Sequence, residues 1–242
     1  MKIRWAFVTG ADRGLGLGLV KALLARDYHV FAGQFMPSNS DLEQLSAVSG
    51  DRLRLLPLDI SDEASVGAAI AAVHNVTDQL DILINNAAIL GDTQATIEDQ
   101  LNFEEMEQVF RVNTLGALRM SNGLIASILR SDSKLIVNIS SEAGSIGSCQ
   151  RTSWFAYCMS KSALNMQAQL IHNQIAGQGG KVLVIHPGYV QSYMQGSLNT
   201  EATLTPDESA AHILGIMEHR LRPDYSSNKL ELIEYTGNTL PW

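Results

Sequence analysis

Tyr157 and Lys161 stand four positions apart in the stretch FAYCMSK, residues 155–161. On a helix this spacing places two side chains next to each other on one face. The residue types make the pairing chemically suggestive. A phenol has an unperturbed pKa of ~10, and an ammonium within about 4–6 Å lowers an acid's pKa by roughly 1–3 units because it favours the anion. A lysine so placed could tune a tyrosine toward proton exchange near neutral pH. The same spacing also arises in any amphipathic helix, so the remainder of the chain has to decide.

A second chemically loaded stretch is VTGADRGLG, residues 8–16, with Gly10, Gly14 and Gly16 following a run of strand-forming residues. Glycines at a strand-to-helix turn let the backbone approach a pyrophosphate, and the helix N-terminus offers free N–H groups and a partial positive charge. The spacing is G-x-x-x-G-x-G rather than the more familiar G-x-G-x-x-G, so its weight comes from its place after the first strand.

These residues need a scaffold, and the chain supplies an alternating one. Short β-branched and apolar runs are predicted as strands at 3–9, 28–32, 53–57, 81–84, 134–139, 181–186 and 230–234. Helical patterns lie between them, the signature of βαβ units and a parallel sheet. Leu15, Leu19 and Leu23, with Val20 and Leu24, recur at the spacing of a helix packed on that sheet. A longer pattern covers about 103–130, and another begins near Tyr157 with Ala163, Leu164, Leu170, Ile171 and Ile175 on its apolar side. With 242 residues and no linker, repeat or charge block, the expectation is one α/β domain, a doubly wound parallel sheet of about seven strands with helices on both faces.

Composition narrows the function classes. A net charge of −8 disfavours nucleic acid as a partner, since phosphate binding draws on clustered Lys and Arg. No apolar run reaches the ~18–20 residues of a membrane span, and the start MKIRWAFVTG lacks the features of a secretory signal. A cytoplasmic protein without a membrane segment is expected. Cys149 and Cys158 fit no metal spacing and are expected to be reduced rather than bridged, and Cys158, beside Tyr157, reads as a small buried thiol, a redox role being the alternative. The six histidines are scattered; His212 and His219 have no ligand partners in sequence, His186 before Pro187 reads as structural, and no metal site is expected.

Taken together, the motifs resemble those of the short-chain dehydrogenase/reductase family along nearly the whole chain. TGADRGLG is similar to the family's glycine turn, LDIS (58–61) to its adenine-contacting segment, NNAA (85–88) to N-N-A-G, RVNTLG to the segment of its active-site asparagine, IVNISS to the strand ending at its serine, YCMSK to Y-x-x-x-K, and HPGYVQS to P-G-x-V-x-T. The stretch between Ser141 and Tyr157 is a few residues longer than in most of the family, and the chain ends YTGNTLPW. Both features resemble the branch of the Sniffer-type carbonyl reductases and the C-factor proteins. The resemblance implies one Rossmann-type domain over 1–242, its dinucleotide-binding part at about 1–130 and its catalytic and substrate-loop part at about 131–242.

It further implies catalytic roles for Asn113, Ser141, Tyr157 and Lys161: Tyr157 as general acid/base, Lys161 also bonding the nicotinamide ribose, Ser141 positioning the carbonyl and Asn113 holding a water relay to Lys161. Chemistry alone does not separate Ser141 from Ser140; the family's position is the second. Cofactor contacts are implied at Gly10, Asp12, Arg13, Gly14, Leu15, Gly16, Asp59, Ile60, Asn86, Ala87, Ala88, Tyr157, Lys161, Pro187, Gly188, Val190 and Ser192. Ala88 stands where the family usually has glycine, and its methyl would be strained if the backbone there has positive φ.

For the cofactor, Gly33 occupies the place of the ribose-binding acid of NAD-specific members, so nothing repels a 2′-phosphate. Phe35 stands where many NADP-preferring relatives carry arginine, leaving Arg13 as the available cation. NADP(H) is therefore favoured, with NAD(H) possible. Residues 189–205 resemble a lid, and Leu90, Trp154, Tyr189, Tyr193 and Met194 could wall an apolar pocket for a small carbonyl or alcohol substrate. The long helices suggest a homo-oligomer, dimer or tetramer. Two alternatives are a cofactor-occupied signalling or regulatory protein with little turnover, and an extended-family epimerase or dehydratase, which would need a longer C-terminal substrate region.

Overall fold

The computed structural model describes residues 2–37, 40–225 and 229–242. Seven parallel strands and a short antiparallel eighth form one sheet in the order β3-β2-β1-β4-β5-β6-β7-β8. The parallel strands are β1 (Arg4–Val8), β2 (Tyr28–Gln34), β3 (Leu53–Pro57), β4 (Ile82–Asn85), β5 (Leu135–Ile139), β6 (Lys181–His186) and β7 (Leu232–Glu234); β8 is Thr239–Leu240. Each of the seven runs expected from sequence lies on a strand. Strand order reverses between β1 and β4, and in such sheets the ligand crevice opens at the carboxyl ends of the strands at that point.

Alternation along the buried strands feeds two cores. Ala6 and Val8 of β1 face one layer together with Leu19, Val20 and Leu23 of α1 (Gly14–Leu24) and Ile213 and Leu214 of α7 (Pro206–Arg220). Trp5 and Phe7 face the other, with Val66 and Val73 of α3 (Glu63–His74), Met120 and Leu124 of α5 (Ala117–Arg130), and Ala168 and Ile175 of α6 (Phe155–Ile175). Both faces of a parallel sheet must be covered in this way. Burying one such large aliphatic side chain contributes about 1.5–3 kcal/mol.

Two local features depart from the sequence expectation. The helical pattern over 103–130 is α4 (Phe103–Phe110), then a π-helical turn (Arg111–Gly116), then α5. Leu170, expected on the apolar side of α6, points outward and is 62% exposed, whereas Leu164 and Ile175 are buried. The remaining helix, α2 (Ser40–Ser49), precedes β3. No helix among the described residues is long and apolar enough to cross a membrane.

Candidate active site

The glycine turn lies at the carboxyl end of β1. Gly10 has φ +63°, a conformation glycine adopts without penalty, and a Cβ there would stand 2.8 Å from the Ala87 Cα. At Gly16 a Cβ would meet the Gly10 carbonyl oxygen at 2.0 Å, so this turn closes only with glycine. Thr9 and Asn86 fasten it to β4: the Thr9 hydroxyl accepts from the Asn86 and Ala87 amides at 3.0 and 3.1 Å. The Asn86 side chain donates to the Thr9 and Gly10 carbonyls at 2.9 and 3.1 Å.

The helix that follows is uncapped. Asp62 caps α3, Asn102 caps α4 and Thr205 forms a capping box with Glu208 on α7. Position 13, the N-cap of α1, is an arginine with no side-chain cap bond, and no acid lies in the first turn. An N-terminus left with its N–H groups unmatched by a side chain, beside a turn that only glycine permits, fits an anionic diphosphate.

Next to it, the Asp12 carboxylate accepts from the Phe35 and Met36 amides at 3.1 and 2.7 Å. Asp12 thus anchors the chain leaving β2 against the glycine turn. At Gly33 a Cβ would meet Leu58 Cδ2 at 2.6 Å and Phe7 Cε1 at 3.1 Å, so this position faces the packed interior and has no room for an acid. Phe35 is 68% exposed. The Arg13 guanidinium carbon lies 4.7 Å from the centre of the Tyr193 ring, in the segment after β6. Asp59 accepts from the Ser61 amide and hydroxyl at 2.8 and 2.7 Å, and Ile60 is buried against Gly116 of the π turn.

Tyr157 and Lys161 share one face of α6, and both are buried. The Lys161 ammonium nitrogen lies 5.6 Å from the centre of the Tyr157 ring and donates to the Ile139 carbonyl at 2.8 Å. The Ser141 side chain lies near the Tyr157 phenol and acts to lower its pKa. Ser140 turns away: its hydroxyl donates to Asn165 Oδ1 at 2.6 Å. The geometry therefore separates the two serines that the chemistry of the sequence left together.

Electrostatics differ from the expectation of a cation lowering a phenol. Burial is the largest influence on both groups, pushing Tyr157 up to about 12, against which Ser141 acts, and Lys161 down to about 7. Removing water disfavours whichever form is charged, so a lysine buried this far is only partly cationic at neutral pH. The spacing brings the pair together, and desolvation sets their titration.

Asn113 sits inside the π turn, a placement common at functional sites. Its amide oxygen accepts from the Ile89 amide at 2.8 Å, and its nitrogen donates to the Ile89 carbonyl at 2.9 Å and the Ser160 hydroxyl at 3.0 Å. The side chain holds the loop after β4 against α6. Ala88 is absent from the described non-glycine residues with positive φ, which are Asp27, Lys134 and Trp154, so its methyl is unstrained.

Of the expected pocket residues, Trp154 reaches the tyrosine: its ring stands edge-on to Tyr157, centres 6.0 Å apart. The others spread along the cleft. Tyr189 accepts from Asn199 at 2.6 Å, Tyr193 meets Arg13, Met194 is exposed and Leu90 is half-buried. Pro187 accepts from the Ser209 hydroxyl at 2.7 Å, Val190 bridges to Leu204, and the Ser192 carbonyl accepts from Asn199 at 2.9 Å, so residues 189–205 fold on themselves. Sequence reasoning missed Thr9, Ser160 and the Glu142–Arg151 ion pair (2.7 Å). Thr9 was visible as the first letter of the glycine motif, while the others depend on long-range packing. Cys158, expected as a core thiol, is only partly buried and Cys149 is exposed.

The sequence pattern described as short chain dehydrogenase matches residues 4–203. The chain is 29% identical to C-signal of Myxococcus xanthus over 171 residues, covering 71% of this chain and 98% of that one. NADPH-bound carbonyl reductase from chicken fatty liver superposes with a TM-score of 0.86 at 30% identity, and carbonyl reductase Sniffer of D. melanogaster with 0.87 at 26%. Both superpositions cover 100% of each chain.

Proposed function

The chain belongs to the short chain dehydrogenase family, in the neighbourhood of Sniffer and C-signal, and from that premise we propose that it is an NADP(H)-dependent carbonyl reductase. The observation that carries the proposal is the convergence of Tyr157, Lys161 and Ser141 at a buried point, on a sheet whose glycine turn opens an uncapped helix. A protein that only held a dinucleotide would have no use for a buried phenol and amine on one face.

When bound, the dinucleotide supplies a hydride. The chain's residues do the rest. The turn at Gly10–Gly16 and the N-terminus of α1 would take the diphosphate, Asp59 and Ile60 would flank the adenine end, and Asn86 to Ala88, Pro187, Gly188, Val190 and Ser192 would line the nicotinamide end. Arg13 would meet the 2′-phosphate, and Gly33, turned inward, puts no carboxylate at the end of β2 where NAD-specific members carry one, which together with the NADPH-bound relative supports NADP(H) over NAD(H). Tyr157 gives its proton to the carbonyl oxygen while Ser141 holds that oxygen and the phenol. A pKa of about 12 keeps Tyr157 protonated at neutral pH, and the phenol remains more acidic than the alcohol formed. Lys161, near 7, would bond the nicotinamide ribose and pass a proton taken from solvent back to the phenolate. The substrate is a small carbonyl compound with an apolar body facing Trp154.

Within the single domain, the dinucleotide-binding part is about residues 1–130 and the catalytic and substrate-loop part about 131–242. A homodimer through α4, α5 and α6 accounts for the outward Leu118, Met166 and Leu170. The test is NADPH oxidation over a panel of aromatic and aliphatic aldehydes and ketones: turnover with several, faster than with NADH, is expected, and binding of NADPH without turnover on any would favour the signalling reading, which the likeness to C-signal supports.

A further inference from the structure

Beside α6, on the side away from Lys161, lies a cavity of about 350 Å³ lined by both cysteines, Arg151, Phe155, Met159 and Ile97. Phe155, Cys158 and Met159 come from the first turn of α6 and Cys149 from the exposed loop before it. We propose that Cys149 and Cys158 are a thiol pair that a small-molecule disulfide of the glutathione class oxidises to an intramolecular disulfide, closing this cavity.

Three observations support the pairing. The two cysteines line one cavity although nine positions and a loop separate them in sequence. The Arg151 guanidinium lies in the wall of the same cavity, where it favours the Cys158 anion, the reactive form. Exposure is graded, with Cys149 open to solvent and Cys158 partly covered; burial pushes the Cys158 thiol up and Arg151 acts against it. Cys149 is therefore the entry point and Cys158 the resolving thiol.

The reaction balances in two exchanges. The Cys149 thiolate attacks the small disulfide, forming a Cys149–S–S–R bond and releasing one thiol. The Cys158 thiolate then attacks the Cys149 sulfur, forming the protein disulfide and releasing the second thiol. Two protein thiols are oxidised, one external disulfide is reduced, and the two protons leave on the released thiols. Closure requires the two Cβ atoms to come within about 3.5–4.5 Å, which draws the loop toward α6.

The loop is tied so that this movement has consequences. The Ser145 hydroxyl donates to Pro241 and the Gly147 amide to Trp242, at 2.6 and 2.7 Å, fixing the near end. Displacement therefore falls on residues 148–153. Within them Arg151 makes a bidentate pair with Glu142, adjacent to Ser141, and its guanidinium lies 5.1 Å from the centre of the Trp154 ring, which abuts Tyr157. Oxidation is thereby linked to the surroundings of both Ser141 and Tyr157.

The full-length protein should be incubated with oxidised glutathione at mildly alkaline pH and examined by intact-mass and hydrogen-exchange measurements. The expected product has lost two hydrogens, carries no glutathione, shows slowed exchange over 148–156, and returns to the starting mass with dithiothreitol. Cys158→Ser should stop at a glutathione adduct on Cys149, and Cys149→Ser should react at least tenfold more slowly. A persistent adduct on the native protein, a disulfide-linked dimer, or no reaction at Cys149 would each overturn the pairing.

Discussion

The Arg13 guanidinium stacks against the Tyr193 ring at 4.7 Å, joining the glycine turn to the segment after β6. A stacked guanidinium keeps its edge N–H groups free for a phosphate while losing conformational freedom to the ring. Arg13→Ala should therefore weaken NADPH about tenfold and leave NADH nearly unchanged, a difference of ~1.4 kcal/mol. Tyr193→Phe should behave as the native protein, and Tyr193→Leu should lose a few-fold in NADPH affinity. Fluorescence titrations at two salt concentrations measure this; equal losses for both cofactors would make Arg13 a support of the turn.

Replacing Tyr157 with phenylalanine removes the proton donor with little change in volume. Turnover should fall by about 10²–10⁴, with NADPH affinity within twofold of the native value. Retained kcat would refute the assigned acid.

The two serines should separate by readout. Ser141→Ala should lower kcat, since its side chain lies near the phenol. Ser140→Ala should lower unfolding stability by about 1 kcal/mol or somewhat more through its buried bond to Asn165 and leave kcat near native. Paired turnover assays and denaturant melts decide, and the reverse ranking would assign the roles the other way.

Stability of the cofactor-free protein should depend on pH in a particular way. Lys161 is lowered from 10.5 to about 7 on folding, so between those values the unfolded chain binds more protons and stability rises with pH. Tyr157 is raised from 10.0 to about 12, so above pH 10 the native state holds the extra proton and stability falls. Melting temperature should climb from pH 7 toward 10 and decline beyond. Lys161→Met should flatten the rising limb; an unchanged rise would place its origin elsewhere.

Sedimentation at micromolar concentration should show a dimer of the 26.3 kDa chain, and Leu170→Glu, at a position 62% exposed, should shift it to monomer. A native monomer would end the proposed assembly.

Strands were legible because the central parallel strands are buried on both faces, so Phe7, Val30, Ile84 and Val184 sit in apolar runs. The eighth strand, Thr239–Leu240, is too short to carry a pattern. Leu170 misled because an apolar residue near the helix stripe reads as core whether it faces the sheet or outward. Tyr157 and Lys161 were visible as a local i, i+4 pair, but their titration depends on how much water the whole fold excludes. The bonds from Asp12 to the chain after β2, the contact of Arg13 with Tyr193 and the cavity shared by the cysteines each join residues from different elements, and no local spacing encodes them.

The π turn at Arg111–Gly116 puts the long helix out of phase with itself. Its i→i+5 bonding accommodates an extra residue, so α4 and α5 count their faces from different origins, offset by about 100° per residue in a 3.6-residue turn. Point substitutions at Val112 or Leu115 preserve that offset. Removing one residue anywhere in the turn would heal it into continuous α-helix, swing Asn113 away from Ile89 and Ser160, and force either α4 or α5 to present the wrong side to its neighbours. Tolerance here is set by chain length before residue identity, and a one-residue deletion should be more damaging than any single replacement in the same six positions.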